Sequence, residues 1–122
     1  MISPYKGKTG LARVWNALLY SLDGLAAAFK HEDAFRQEVL LALVLVPLAL
    51  YAPAAGPGKA LMIASVLLVL VVELLNSAIE AVTDRVSIED HVLAKRAKDM
   101  GSAAVMLSLI NVPAVWLLVL LG

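Results

Sequence analysis

Two glutamates interrupt an otherwise apolar stretch of this sequence. The segment 70–84 reads LVVELLNSAIEAVTD, and residues 60–72 carry no charged side chain. In a helix, Glu73, Asn76, Glu80 and Asp84 are spaced i, i+3, i+7 and i+11, so the four side chains share one face. An acid at membrane depth costs on the order of a few kcal/mol unless it is paired, hydrated or protonated. We therefore expect this face to line a cavity or a subunit interface.

Carboxylates at the boundary between lipid and water suit three kinds of chemistry. They can hold a hard divalent cation through oxygen, take a proton from a hydroxyl group, or relay protons in a transporter. A polar stripe can also simply hold helices together, but that role usually falls to Ser, Thr, Asn or Gln and requires no pair of glutamates. The residue types therefore favour a functional acidic site.

The composition places these acids in a membrane protein. Of 122 residues, 61% are apolar, and the mean hydropathy is +0.87. A soluble domain is about half apolar. The net charge is zero and gives no signal for nucleic acid, and the chain has no cysteine, which excludes disulfides. The length suits one domain, 1–122, and the small size makes an oligomer plausible.

Three apolar segments are long enough to span a bilayer, at about 38–53, 60–83 and 100–121. Basic residues concentrate before the first span and between the second and third. The positive-inside rule therefore predicts that the N-terminus and the 83–100 loop face the cytoplasm, as in a multi-pass protein of the cytoplasmic membrane. Trp116, near the far end of the third span, is typical of an interfacial aromatic belt.

The segment before the first span has a different pattern and predicts an amphipathic helix at about 10–30. Large apolar residues recur on one arc, and the opposite arc carries Arg13, Asn16, Tyr20, Asp23 and Lys30. A helix this polar on one side lies in the membrane interface rather than across it. The predicted fold class is thus an all-α membrane protein with an N-terminal surface helix and three transmembrane helices per protomer.

Three motifs carry a resemblance to a known family. The segments AFRQE, VELLNSAIEAVTDR and AKDMGSAAV closely resemble the prokaryotic diacylglycerol kinase family, and the resemblance extends from about Arg13 to the end of the third span. It implies a homotrimeric enzyme of the bacterial inner membrane. It also implies a reaction, with Mg²⁺ as cofactor, in which the γ-phosphoryl group of MgATP passes to the hydroxyl of diacylglycerol and gives phosphatidic acid.

The resemblance also assigns roles to residues, position by position. It implies that Glu73 is the catalytic base, that Glu32 and Glu80 are the metal ligands, and that Asn76 supports this cluster, with Asp84 beside it. The nucleotide contacts it implies are Arg13, Tyr20, Glu32, Glu80, Glu89, Asp90, His91, Lys98 and Asp99. The lipid-substrate positions it implies are Arg13, Ala34, Phe35, Arg36, Gln37, Glu38, Glu73 and Ser102.

Other functions remain open at this point. A sister branch of the same family phosphorylates undecaprenol, although AFRQE looks more like the diacylglycerol branch. A small proton-coupled transporter would explain Glu73 as a proton carrier, but it would not explain the AKD segment or the polar face of the surface helix. A helix-packing protein without enzymatic activity would tolerate Glu73→Gln and Glu80→Gln.

Overall fold

The computed structural model describes residues 9–85 and 91–122, and every regular element in these ranges is a helix. The four helices are α1 (Gly10–His31), α2 (Asp33–Tyr51), α3 (Gly56–Thr83) and α4 (His91–Leu121). Helices α2, α3 and α4 are each long and apolar enough to cross a membrane. The expected all-α membrane fold, with one amphipathic helix ahead of three apolar ones, is confirmed.

A tight corner joins α1 to α2. Glu32 leaves the helical conformation, with φ −116° and ψ 109°, and so ends α1. The Arg36 side chain then donates from Nη1 to the carbonyl oxygens of Phe29 and Lys30, at 2.8 and 2.9 Å. Its Nη2 forms an ion pair with Asp33. Because the last carbonyls of a helix have no partner within the helix, Arg36 stabilises the end of α1 and fixes the corner that carries Glu32.

A short turn connects α2 to α3. Pro57 lies in the first turn of α3, where its missing N–H removes no helical hydrogen bond. The Lys59 Nζ donates to the Leu50 carbonyl at 2.8 Å and so satisfies the C-terminal end of α2. A Cβ added to Gly58 would lie 2.8 Å from Val119 Cγ1. The start of α3 is therefore packed closely against the end of α4.

Helices α3 and α4 run antiparallel along their whole described length. Besides the contact of Gly58 with Val119, the Trp116 indole N–H donates to the Met62 carbonyl at 3.1 Å and to Ser65 Oγ at 3.2 Å. Trp116 is half-buried, and its indole N–H is bonded to α3. Helix α3 is central, since it also packs against α2 and, more lightly, against α1.

The lengths of α3 and α4 determine which residues lie outside the hydrocarbon. At 1.5 Å per residue, the two helices are about 42 Å and 46 Å long, whereas the hydrocarbon layer is about 30 Å thick. Both helices therefore extend beyond the layer. Many large apolar side chains are exposed on the single protomer, such as Leu43 at 67% and Leu118 at 75%, as expected of surfaces that face lipid or a neighbouring subunit.

Candidate functional site

One amide joins the two glutamates of α3. The Asn76 Nδ2 donates to Glu80 Oε1 at 2.9 Å and, more weakly, to Glu73 Oε2 at 3.4 Å. Glu73 is only 5% exposed, while Asn76 and Glu80 are half-buried. The helical period therefore produces the face expected from the spacing, and the cluster runs from the helix end into the buried part of the bundle.

Two further carboxyl groups reach this cluster from the neighbouring elements. The Glu73 carboxyl interacts electrostatically with those of Glu80 and Glu32, and the Glu38 carboxyl interacts with that of Glu73. Glu32 comes from the corner between α1 and α2, and Glu38 from the second turn of α2. Within residues 9–85 and 91–122, none of these four acids forms an ion pair with a basic side chain. The site therefore gathers four carboxyl groups, none of which is ion-paired within the described residues.

This donor set fits a magnesium ion that is shared with phosphate. In the described part of the chain, no three His, Asp or Glu side chains form a complete metal-holding group. Mg²⁺ usually takes only one or two carboxylates from the protein and completes its shell with water and phosphate oxygens. Glu80 and Glu32 can supply such ligands, and a divalent cation would offset the charge that the acids hold together.

The helix ends beyond the cluster carry two ion pairs. Lys98 Nζ lies 2.5 Å from Asp84 Oδ1, which links the start of α4 to the residue that follows α3. Lys98 also interacts electrostatically with Glu80, so the structure brings this lysine to the carboxylates. Asp99, by contrast, pairs with Lys95 on the next turn of its own helix at 2.7 Å. Lys98 is therefore held near both Asp84 and Glu80.

The predicted lipid positions at the start of α2 differ in what they contact. Phe35 is buried at 3% exposure, Arg36 caps α1, and Glu38 approaches Glu73. Ala34 and Gln37 are exposed, as is Ser102 on α4. Of the six, Glu38 is thus the one in electrostatic contact with Glu73.

An apolar groove separates α1 from α3 beside the cluster, with a volume of about 720 Å³. Its walls are mainly small or apolar, and Glu32 lies at its edge. It is lined by Ser21, Gly24, Leu25, Ala27, Ala28, His31, Glu32, Leu74, Ser77, Ala78 and Ala81. Of the four clustered acids, Glu32 lines this groove.

Three further predicted nucleotide contacts, Arg13, Tyr20 and His91, are exposed on the described helices. Arg13 and Tyr20 are exposed on α1, ahead of the residues that line the groove, and Arg13 forms no hydrogen bond or ion pair with any described residue. His91 is exposed at the start of α4. Glu89 and Asp90 lie outside the described residues.

Sequence reasoning missed one residue of the site, Gly101. It is buried on α4, and a Cβ built on it would collide with the Asn76 Oδ1. The available signal was a glycine inside a helical pattern, which usually marks close packing. Spacing along α4 alone could not identify Asn76 as its neighbour.

Comparisons with known proteins agree with this architecture. Residues 19–120 match the family model described as prokaryotic diacylglycerol kinase. The chain is 57% identical to a diacylglycerol kinase of Pseudomonas aeruginosa over 120 residues, covering 98% of both chains. It is 51% identical to that of Haemophilus influenzae, covering 88% of this chain and 92% of the relative. Identity to the diacylglycerol kinase of Escherichia coli K12 is 47%, with 92% of both chains covered. The chain belongs to the prokaryotic diacylglycerol kinase family.

Proposed function

We propose that this protein is a membrane lipid kinase that transfers the γ-phosphoryl group of ATP to the hydroxyl of diacylglycerol and forms phosphatidic acid. Membership of the family and the name diacylglycerol kinase on its relatives support this activity. The observation in the structure that best supports it is the buried Glu73, joined through Asn76 to Glu80 near the end of α3. Acids at two depths suit a lipid acceptor and a water-soluble donor.

The acceptor end of the site consists of Glu73 and the apolar groove. We propose that an acyl chain lies in the groove between α1 and α3, beside Glu32, with the glyceride hydroxyl directed to Glu73. Glu73 is the proposed proton acceptor, and a positioned base contributes about 10²–10⁴-fold to such a step. We also propose that Arg13, the segment 34–38 and Ser102 contact the lipid.

The donor end consists of Glu32, Glu80 and Lys98. Glu32 and Glu80 would hold Mg²⁺, which when bound neutralises negative charge on the phosphates of ATP. Lys98 adds a positive charge that the protein itself supplies. The other proposed nucleotide contacts are Arg13, Tyr20, Glu89, Asp90, His91 and Asp99.

The transfer itself needs positioning more than covalent help from the protein. The lipid hydroxyl oxygen forms a bond to the γ-phosphorus, and the bond from that phosphorus to the β,γ-bridging oxygen breaks. ADP leaves with the bonding electron pair, and the hydroxyl proton passes to the Glu73 carboxylate. Asn76 holds Glu73 and Glu80 in place during these events, because its amide donates to both.

The proposed setting is the bacterial inner membrane. The distribution of basic residues supports a cytoplasmic N-terminus, so the acids at the end of α3 would meet cytoplasmic ATP. We propose that the 122 residues form a single kinase domain and that three copies assemble into a homotrimer. Extensive exposed apolar surface on α3 and α4 supports assembly, as does the exposure of Arg13, which nothing in the described protomer pairs.

One assay tests the proposed function. The purified protein in detergent micelles receives ATP labelled at the γ-phosphate, Mg²⁺, and either diacylglycerol or undecaprenol. We expect label in phosphatidic acid, and none when Mg²⁺ is chelated. Preferential labelling of undecaprenol would move the protein to the sister branch. Failure to label either lipid would contradict the kinase proposal and favour the alternative of a small proton-coupled transporter.

A further inference from the structure

Gly101 lies where α4 packs against Asn76 of the carboxylate cluster. The residue is buried, and the atom that a Cβ at this position would meet first is the Asn76 Oδ1. That oxygen is itself buried and has no hydrogen-bond partner among the described residues. The amide of Asn76 therefore lies between two surfaces, with the carboxylates on its nitrogen side and the backbone of α4 on its oxygen side.

The chemistry of the neighbours fixes the orientation of this amide. An ionised carboxylate only accepts hydrogen bonds, so the group facing Glu73 and Glu80 has to be the NH₂. Turning the amide over would place its oxygen against two acids and lose both donor contacts. The side chain also cannot retreat from α4 without moving toward the glutamates it holds. A residue larger than glycine at position 101 would therefore displace the amide or push the two helices apart.

We infer that Gly101 is a positioning residue for phosphoryl transfer, which acts through Asn76 on Glu73 and Glu80 together. This inference rests on the proposed function and deepens it. Because Gly101 has no side chain, α4 packs close enough to keep the Asn76 amide bonded to both carboxylates. The proton acceptor and the metal ligand therefore keep a fixed position relative to each other. Gly101 touches no substrate in this arrangement, and its effect is entirely geometric.

The first experiment compares Gly101→Ala with Gly58→Ala. Both changes add one methyl group at a close contact between α3 and α4, but Gly58 faces Val119 at the other end of the pair. We expect Gly101→Ala to lower kcat with diacylglycerol by about 10²-fold, the loss typical of a displacement near 1 Å. It should also raise the Mg²⁺ concentration needed for half-maximal rate, because Glu80 loses its hydrogen bond to Asn76 as well. Gly58→Ala should lower thermal stability and leave both kinetic quantities near those of the natural protein.

A double-mutant cycle with Asn76→Ala separates positioning from general packing. If Gly101 acts through Asn76, the pair Asn76→Ala/Gly101→Ala should be no less active than Asn76→Ala alone, since nothing remains to be displaced. The truncated side chain also leaves room for the new methyl group. The double variant should therefore melt at a higher temperature than Gly101→Ala.

Several results would overturn the inference. Normal kcat and normal Mg²⁺ dependence in a folded Gly101→Ala would do so, as would losses that multiply in the double variant. Should Gly101→Ala fail to fold, the double variant still has to fold, and its failure would show that Gly101 contacts something other than Asn76. If the natural protein phosphorylates no lipid, the proposed function fails separately, and the melting temperatures of the four proteins still test the contact.

Discussion

Replacing Glu73 by glutamine tests whether the buried acid accepts the proton while Glu80 binds the metal. Glu73 is 5% exposed and lies seven residues before Glu80, which corresponds to about 10 Å along the helix axis. It accepts only the weaker of the two Asn76 contacts, at 3.4 Å against 2.9 Å for Glu80. Glutamine keeps the volume of the side chain and an oxygen acceptor. The change should therefore remove the proton acceptor and leave Asn76 bonded to Glu80.

We expect a large loss of turnover in Glu73→Gln, with little change in MgATP affinity or in the free energy of unfolding. Loss of a positioned base costs about 10²–10⁴ in rate, which equals about 3–5 kcal/mol of transition-state stabilisation. MgATP binding should change by less than about threefold, because the stronger hydrogen bond and both proposed metal ligands remain. The free energy of unfolding should hold or rise, since an amide is cheaper to bury than a carboxylate.

The assay pairs two measurements on the same purified Glu73→Gln protein. Nucleotide affinity is measured by equilibrium binding of labelled ATP at fixed Mg²⁺, and turnover by transfer of phosphate to diacylglycerol in micelles. Glu80→Gln serves as the matched control, since it is the same substitution on the same face of α3, two helical turns further along. If binding disappears together with turnover in Glu73→Gln, Glu73 belongs to the metal site and the proposed roles are wrong. If both survive, the buried acid takes no part in the chemistry.

Three further predictions concern Glu80, the ion pair of Lys98 with Asp84, and Trp116. Glu80→Gln should abolish turnover at ordinary Mg²⁺ in a protein that still folds, and a titration with Mg²⁺ that shows near-normal activity would contradict the metal role. Lys98→Met should raise the KM for MgATP about tenfold or more. Asp84→Asn should change that KM by less than about threefold and the free energy of unfolding by less than about 1 kcal/mol, because the Lys98–Asp84 pair is exposed. Steady-state kinetics and denaturation of both variants test these expectations. Trp116→Phe should cost about 1 kcal/mol through the lost N–H contacts to α3 with kcat unchanged, and a kinetic defect at equal stability would refute a packing role.

Much of the fold was predictable, because bilayer thickness and helical periodicity act on the sequence directly. The long apolar runs predict the helices that become α2, α3 and α4, and the amphipathic spacing predicts α1. The spacing of Glu73, Asn76 and Glu80 predicts a common face, and their hydrogen bonds show it. These features depend on one helix at a time. Local spacing is sufficient to find them.

Contacts between helices were not predictable in the same way, since they depend on the register of one helix against another. Periodicity places Asp84 on the acidic face, but it cannot show that Asp84 pairs with Lys98 on α4. Arg36 is a lipid contact by the family resemblance, and the structure adds that its guanidinium caps α1. The hydrogen bond of Trp116 to α3 is equally hidden from spacing along α4. The partners of Asp84 and Trp116 are distant in sequence, so the pattern within one helix could not identify them.

A kinase for membrane lipids has to bring together two substrates that prefer different phases. ATP is too charged to enter hydrocarbon, and the acyl chains of diacylglycerol are too apolar to leave it. Helix α3 is about 12 Å longer than the hydrocarbon is thick, so one continuous helix can carry Glu80 at the aqueous edge and Glu73 about two turns deeper. The single amide of Asn76 donates to Glu80 at 2.9 Å and more weakly to Glu73 at 3.4 Å, and so links the two acids. One helical segment thus bridges the two phases, and we infer that the close approach of α4 at Gly101 keeps its acids in position for transfer.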